Sequence, residues 1–352
     1  MASGEEVASL VRAARGAGRT VTALLGVGFD PRALVGIGML INNLPPDGLR
    51  VVTLGLPPAA RGGRTALLAD ANTRAFTLEV EAAGLEVWNL AGQDVSDYRT
   101  AGIATLRLLQ QSGHVPSDGV VIMDISSLPA AVYFPVIAGF LEAARTGSFS
   151  GELLVLACEN PEIDGAIVEE GTSDPGPIHG FGHRFTDERR SSATLVWAPV
   201  LGEGQTAQLE SIRQFLHPDE VCPVLPFPAR NPRRADDLLL EHRVLLFEEL
   251  EIEPRNIIYA NESNPFDVYR ALCRLNDRYT RHMSQLGDIV IATSVHASKL
   301  LSLGVLLAAY ERKLTVVTSA TTNYILREAF DAGALAPGNR LHCLWLIGEP
   351  YA

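Results

Sequence analysis

Apolar and polar residues alternate with two different periods along most of the chain. Near the N-terminus, Val7, Leu10, Val11 and Ala14 recur at the spacing of one helix face, which predicts a short amphipathic helix. Short apolar runs then alternate with longer stretches of helical period, which indicates βαβ units and a mostly parallel sheet. Strands are predicted at Val21–Gly26, Arg50–Leu54, Glu86–Leu90, Val120–Asp124 and Leu153–Ala157, with helices near 31–43, 71–83, 97–112 and 130–146.

The alternation stops between residues 159 and 192 and then resumes. This stretch holds eight acidic residues, five glycines and three prolines, a composition typical of a long loop rather than of a core element. We therefore predict an α/β fold of two Rossmann-like halves with mostly parallel sheets, residues 1–158 and 193–352, joined by an acidic irregular excursion at 159–192. The resumed strands are predicted at Thr194–Ala198, Val221–Phe227, Asn256–Ala260, Asp288–Thr293, Leu314–Thr318 and Leu341–Ile347, with helices near 204–216, 232–250, 265–283 and 297–310.

Charge and composition limit the partners and the location that we expect for this chain. The 352 residues carry a formal net charge of −12, which disfavours a broad duplex DNA-binding face. The longest uncharged apolar run spans twelve residues, 130–141, and a membrane span needs roughly 18 or more. The four cysteines are far apart and the first residues are acidic rather than basic, so we expect neither a disulfide framework nor a signal peptide, and a cytoplasmic location. We expect no cofactor and no metal, and a protein partner or self-association.

An Asp-Pro or Asn-Pro pair begins three of the predicted helices, at 30–31, 231–232 and 264–265. The first residue caps the helix and proline suits its first position. In a parallel sheet these helices begin at the carboxyl edge, where ligands bind. Arginine at a helix N-terminus opposes the macrodipole, so a bound anion would explain the arginines that accompany two of these starts. The alternative is pairing with internal acids: Asp236 and Asp237 are close in sequence, and Glu262 lies on a neighbouring loop. The candidate anion contacts are Arg32, Arg230, Arg233 and Arg234.

Two further strand ends are rich in hydroxyl groups. Ser126 and Ser127 follow the strand that ends at Asp124, while Ser294 and Ser298 precede Lys299 at the start of an apolar helix. Hydroxyls, a lysine and a helix start together can hold a phosphate. The alternative is that the serines cap helices and that the lysine extends to solvent.

The segment around Lys299 resembles a known family. A strand at 288–293 leads through Ser294, His296, Ser298 and Lys299 into an apolar helix, and a strand follows at 314–317. This arrangement, over about 30 residues, is similar to the signature loop of CRISPR-associated Rossmann-fold (CARF) sensor domains. The resemblance implies a Rossmann-like fold, cyclic-nucleotide binding through Ser298 and Lys299, and a sensor or accessory role in bacterial antiviral defence.

Three functions follow from these observations. The leading one is a non-catalytic protein that binds a nucleotide or another phosphorylated small molecule. The second is an enzyme acting on a nucleotide or sugar phosphate, as a transferase or hydrolase, with Asp124 or His296 as acid or base. The third is a structural subunit with a degenerate pocket, because His296 and Ala297 stand where the similar family has glycine. The common nucleotide-binding and hydrolase motifs do not occur in the sequence, so no reaction is indicated.

Overall fold

The computed structural model describes residues 1–16, 18–55, 63–90, 98–182, 185, 193–283, 287–319, 321–327 and 330–348. Within these residues the chain forms two compact units. The first unit contains residues 1–168 and 324–352, and the second contains residues 169–323. This division differs from the one expected from the sequence, since the C-terminal segment belongs to the first unit.

The first unit is built on a seven-stranded sheet with the order β1-β16-β6-β5-β2-β3-β4. The pairs from β6 to β4 are parallel, whereas β16 is antiparallel to both β6 and β1. The strands are β1 (Ala2–Ser3), β2 (Val21–Leu25), β3 (Leu49–Leu54), β4 (Val87–Leu90), β5 (Val120–Asp124), β6 (Glu152–Glu159) and β16 (Arg340–Ile347). The helices are α1 (Glu6–Arg15), α2 (Val35–Asn43), α3 (Gly63–Ala82), α4 (Tyr98–Ser112), α5 (Ala130–Arg145), α6 (Pro161–Ala166) and α11 (Ala332–Leu335).

The second unit has its own seven-stranded sheet with the order β12-β11-β9-β13-β14-β8, and β10 also pairs with β9. All of these pairs are parallel except β14 with β8. The strands are β8 (Gly176–Pro177), β9 (Thr194–Val200), β10 (Glu220–Val221), β11 (Val224–Pro226), β12 (Ile258–Ala260), β13 (Ile289–Val295) and β14 (Thr315–Thr318). The helices are α7 (Thr206–Leu216), α8 (Arg234–Glu241), α9 (Pro265–Met283) and α10 (Lys299–Arg312), and a π-helical turn spans Val244–Glu249.

The two sheets share one topology. Numbered along the chain, the five main parallel strands of each unit lie in the order third, second, first, fourth, fifth, and an antiparallel strand flanks the fifth. This is the order of a Rossmann-like half, so the predicted fold class of two such halves with mostly parallel sheets is confirmed. In such sheets the crevice between the first and fourth strands is the usual ligand position. We call these positions the first-unit crevice (β2 and β5) and the second-unit crevice (β9 and β13).

The acidic excursion is more regular than the sequence indicated. It contains α6, β7 (Ile167–Thr172) and β8, and β7 forms a two-stranded sheet with β15 (Thr321–Leu326). β7 and β8 are short and carry acids or glycine, so no regular alternation of apolar and polar residues marks them in the sequence. Among the described residues no helix is both long and apolar enough to cross a membrane.

Candidate functional site

The serines at the first-unit crevice form hydrogen bonds within the protein. Ser126 donates from its backbone N to Asp124 Oδ1 at 2.9 Å, and its hydroxyl oxygen accepts from the backbone N of Cys158 at 2.8 Å. Ser127 donates from Oγ to the carbonyl oxygen of Gly26 at 2.6 Å. Both serines, predicted as ligand contacts, thus have partners inside the unit.

Helix α2 packs directly onto Asp124. A Cβ atom on Gly36 would lie 1.9 Å from Asp124 Oδ2, so only glycine permits this approach. Asp124 is buried, and its Oδ2 atom has no hydrogen-bond partner in the described part of the chain. Burial raises the pKa of Asp124 to about 6, and the nearby charge of Asp30 raises it further. Hydrogen bonds from Ser126 act in the opposite direction and lower the pKa. The acid predicted as a catalytic candidate therefore lies beneath a helix.

Stability should depend on pH through Asp124. A carboxyl whose folded-state pKa is raised stabilises the fold below its unfolded pKa, and this contribution is lost as the pH rises through the folded value of about 6. Relative to Asp124→Asn, the free energy of unfolding of the wild type should fall by about 1.4 kcal/mol between pH 5 and pH 7.5. Urea unfolding of both proteins at the two pH values measures this difference. An equal pH dependence of the two proteins would contradict a buried carboxyl of raised pKa.

The positive charge of Arg32 is balanced by two acidic side chains. Arg32 is 5% exposed, and its guanidinium contacts Asp30 and Asp164 at 2.7 Å each. Burial alone disfavours the charged guanidinium, but Asp30 and Asp164 outweigh it and raise the pKa of Arg32. Asp30 also accepts from the backbone N of Arg32 at 2.9 Å, as the helix-capping prediction required. These two carboxylates take the place of the anion that the sequence suggested for Arg32.

The second-unit crevice is closed by backbone contact. A Cβ atom on Gly202, just after β9, would lie 1.5 Å from the carbonyl oxygen of His296, just after β13. Buried His242 donates from Nε2 to the carbonyl oxygen of Gly202 at 2.9 Å and fixes the same loop. His296 lies in the loop that has no glycine where the similar family has one. This loop is approached closely by Gly202, from the loop after the neighbouring strand β9.

The polar residues after β13 are also engaged within the unit. Buried Ser294 accepts from Trp197 Nε1 at 3.1 Å and lies 2.9 Å from His296 Nε2. Burial, and then His242, lower the pKa of His296, which keeps its imidazole neutral. Ser298 caps α10 by accepting from Leu301 N. His296 therefore contacts a serine that solvent does not reach, an arrangement that fits a structural role better than a nucleophile and base.

The third group of predicted residues lies at the carboxyl end of β11, on residues 227–234, which we call the arginine loop. Hydrogen bonds join it to the loop after β12: Phe227 N donates to Ala260 O at 2.7 Å, and Glu262 N donates to Pro228 O at 3.0 Å. Glu262 also accepts from Arg230 N at 2.9 Å. The arginine loop is therefore held in place by its backbone.

The three arginines of this loop differ in their partners. Arg234 pairs with Glu203 and Glu262, at 3.0 Å each, rather than with Asp236 or Asp237. Arg230 and Arg233, which we call the exposed arginines, lie on the surface, and their guanidinium groups have no acid partner among the described residues.

Asn231 forms a local turn and does not cap the helix. Arg233 N donates to Asn231 Oδ1 at 3.0 Å, but α8 begins only at Arg234, and its N-cap residue Arg233 makes no capping side-chain hydrogen bond. The helix start predicted at Pro232 is therefore wrong. The sequence did not identify Glu203 as a partner of Arg234, because nothing in its local pattern shows that the two residues face each other.

Comparisons with known proteins identify no family. No family model and no curated protein matches the chain. Among solved structures, a universal stress protein from Pseudomonas aeruginosa UCBPP-PA14 matches with 12% identity and a TM-score of 0.23, over 87% of this chain and 94% of that one. At this level the similarity carries no argument, and the fold class rests on the strand order described above. The resemblance of the Ser298 and Lys299 loop to CARF sensors stays a prediction.

Proposed function

We propose that this chain is a non-catalytic protein that binds a nucleotide or another phosphorylated small molecule at the arginine loop. The observation that carries the proposal is the difference among the predicted cations. Arg32 and Arg234 are each neutralised by two carboxylates, whereas the exposed arginines have no acid partner in the described chain and lie on a loop fixed by hydrogen bonds. On a chain of net charge −12, two such groups at a sheet's carboxyl edge favour an anionic ligand.

The position of the loop supports a binding role over catalysis. Both crevices are occupied by the protein's own backbone or side chains, and the two candidate acids or bases, Asp124 and His296, lie there rather than at the arginine loop. Asp124 lies in the first unit and His296 follows β13, so neither predicted acid or base belongs to the arginine loop. Lys299, at the start of α10 after β13, stays a predicted ligand contact, but β9 separates β13 from β11 in the sheet, so Lys299 is not part of the arginine loop. The CARF resemblance adds cyclic nucleotides to the candidate ligands and a sensor role to the proposal.

Arg233→Ala is expected to weaken ligand binding tenfold or more while leaving the free energy of unfolding nearly unchanged. A charge-assisted hydrogen bond contributes about 1.5–3 kcal/mol, and roughly 1.4 kcal/mol is one decade in affinity. Calorimetric titration of wild type and variant with inorganic phosphate, ribose 5-phosphate, AMP, ATP and cyclic nucleotides measures the loss.

Arg243→Ala is the matched control, because it removes the same charge from the exposed helical segment after α8, where Arg243 pairs with Glu248. We expect it to change affinity less than twofold. If no phosphate-bearing compound binds the wild type, or if both variants lose affinity equally, the arginine loop is not a ligand site.

A further inference from the structure

Two exposed aromatic rings lie at the base of the arginine loop and on the neighbouring strand β12. Phe227 is 51% exposed and Tyr259 is 52% exposed, and their ring centroids are 5.9 Å apart with an interplanar angle of 73°. Phe227 begins the arginine loop, three residues before Arg230. Two large aromatic side chains that are exposed together mark an interaction site more often than a single exposed aromatic residue does.

Both rings lie on the same face of the second sheet. Tyr259 is in register with Leu225 on the neighbouring parallel strand, and register partners of adjacent strands point to the same face. Phe227 follows Leu225 by two residues, so it continues that face beyond the end of β11. An edge-to-face pair leaves at least one ring face uncovered by the other ring.

The backbone under the two rings is fixed before any ligand arrives. Phe227 N donates to Ala260 O, and Glu262 joins the two loops through Pro228 O and Arg230 N. A platform held in this way loses little conformational freedom when a ligand binds. A flat ring and a phosphate group are the two chemical features that exposed aromatic faces and guanidinium groups recognise.

We propose that the Phe227 and Tyr259 pair binds the base of a nucleotide, with one ring stacked on the base and the other against its edge, while the phosphate contacts Arg230 and Arg233. This inference rests on the proposed function and specifies it, since it selects a ligand with an aromatic base over a sugar phosphate. The base stacks at the outer corner of the sheet, on β11 and β12, rather than in the second-unit crevice.

The experiment compares AMP with ribose 5-phosphate, which has the same phosphate and sugar but no base. Calorimetry on the wild type should give at least fivefold tighter binding for AMP, on the order of one stacked base. Phe227→Leu and Tyr259→Leu should each weaken AMP binding at least fivefold and change ribose 5-phosphate binding less than twofold. Saturation-transfer NMR should show the base protons of AMP in closest contact with the protein.

Phe247→Leu is the matched control, because Phe247 is another exposed aromatic of the second unit, outside the arginine loop; it should leave both affinities unchanged. Equal wild-type affinity for the two ligands, with no effect of Phe227→Leu, overturns the stacking site but leaves the proposed function standing. If neither ligand nor any other phosphate compound binds, the proposed function fails as well. A change in oligomeric state on Phe227→Leu without a change in AMP affinity assigns the rings to a protein interface and overturns the inference.

Discussion

Replacement of Arg32 by alanine is expected to lower the free energy of unfolding by about 3–5 kcal/mol, the range for removing one partner of a buried ion pair. Arg32 is buried and forms two contacts of 2.7 Å, with Asp30 and Asp164. Its loss leaves Asp30, itself largely covered, without the counter-charge that now neutralises it. Urea or thermal unfolding followed by circular dichroism gives the change.

Arg145→Ala is the control for the loss of one positive charge. Arg145 pairs with Glu142 on the surface of α5, where both side chains are largely exposed, and such pairs contribute about 0–1 kcal/mol. If Arg32→Ala is no more destabilising than this control, Arg32 is not a structural cation. The anion-binding interpretation of Arg32 would then regain its basis, because the side chain would be free to serve a ligand.

Gly202→Ala is expected to destabilise the second unit by about 3 kcal/mol, the upper part of the usual range for overpacking. The added Cβ would lie 1.5 Å from the carbonyl oxygen of His296. Because that neighbour is backbone, it cannot rotate away as the end of a flexible side chain can. Either the loop after β9 or the loop after β13 must move, and the hydrogen bond from His242 to Gly202 would be disturbed.

Gly165→Ala provides the comparison, since Gly165 lies in α6, and a Cβ atom added there would meet no described atom within 4 Å. Alanine at this helical position should be neutral or stabilising by up to about 1 kcal/mol. Urea unfolding of both variants measures the two changes. If Gly202→Ala is as stable as the wild type, the loops after β9 and β13 do not touch and the second-unit crevice is open. A ligand site between Ser294, Ser298 and Lys299 would then be favoured over the arginine loop.

Gly202→Ala also bears on the function, because it tests whether the loops beside the second-unit crevice are in contact. The serines after β5 and β13 were plausible phosphate contacts by residue type, but each is engaged inside its unit. For this reason the proposed ligand site is the corner formed by β11 and β12 and not either crevice. There the exposed arginines and the exposed aromatic rings occur together.

The alternation of apolar strands with helices was enough to establish the α/β class and most strand positions, because each buried parallel strand needs a continuous apolar run. Two of the three local helix starts were equally accessible from the sequence. Asp30 and Asn264 cap as their position before proline predicts, whereas α8 begins at Arg234 and not at Pro232. Capping involves residues two or three positions apart, so no information about the tertiary fold is needed.

The neighbours of each strand and the partners of each charge, by contrast, depend on contacts between distant segments. β16 pairs with β6 in the first unit, although it follows the second unit in sequence. Asp164 lies 132 positions from Arg32, and Arg234 finds Glu203 and Glu262 rather than the acids in its own helix. An arginine that binds a carboxylate and one that binds a ligand have the same local sequence, because the partner within 4 Å is brought there by the fold of remote parts of the chain.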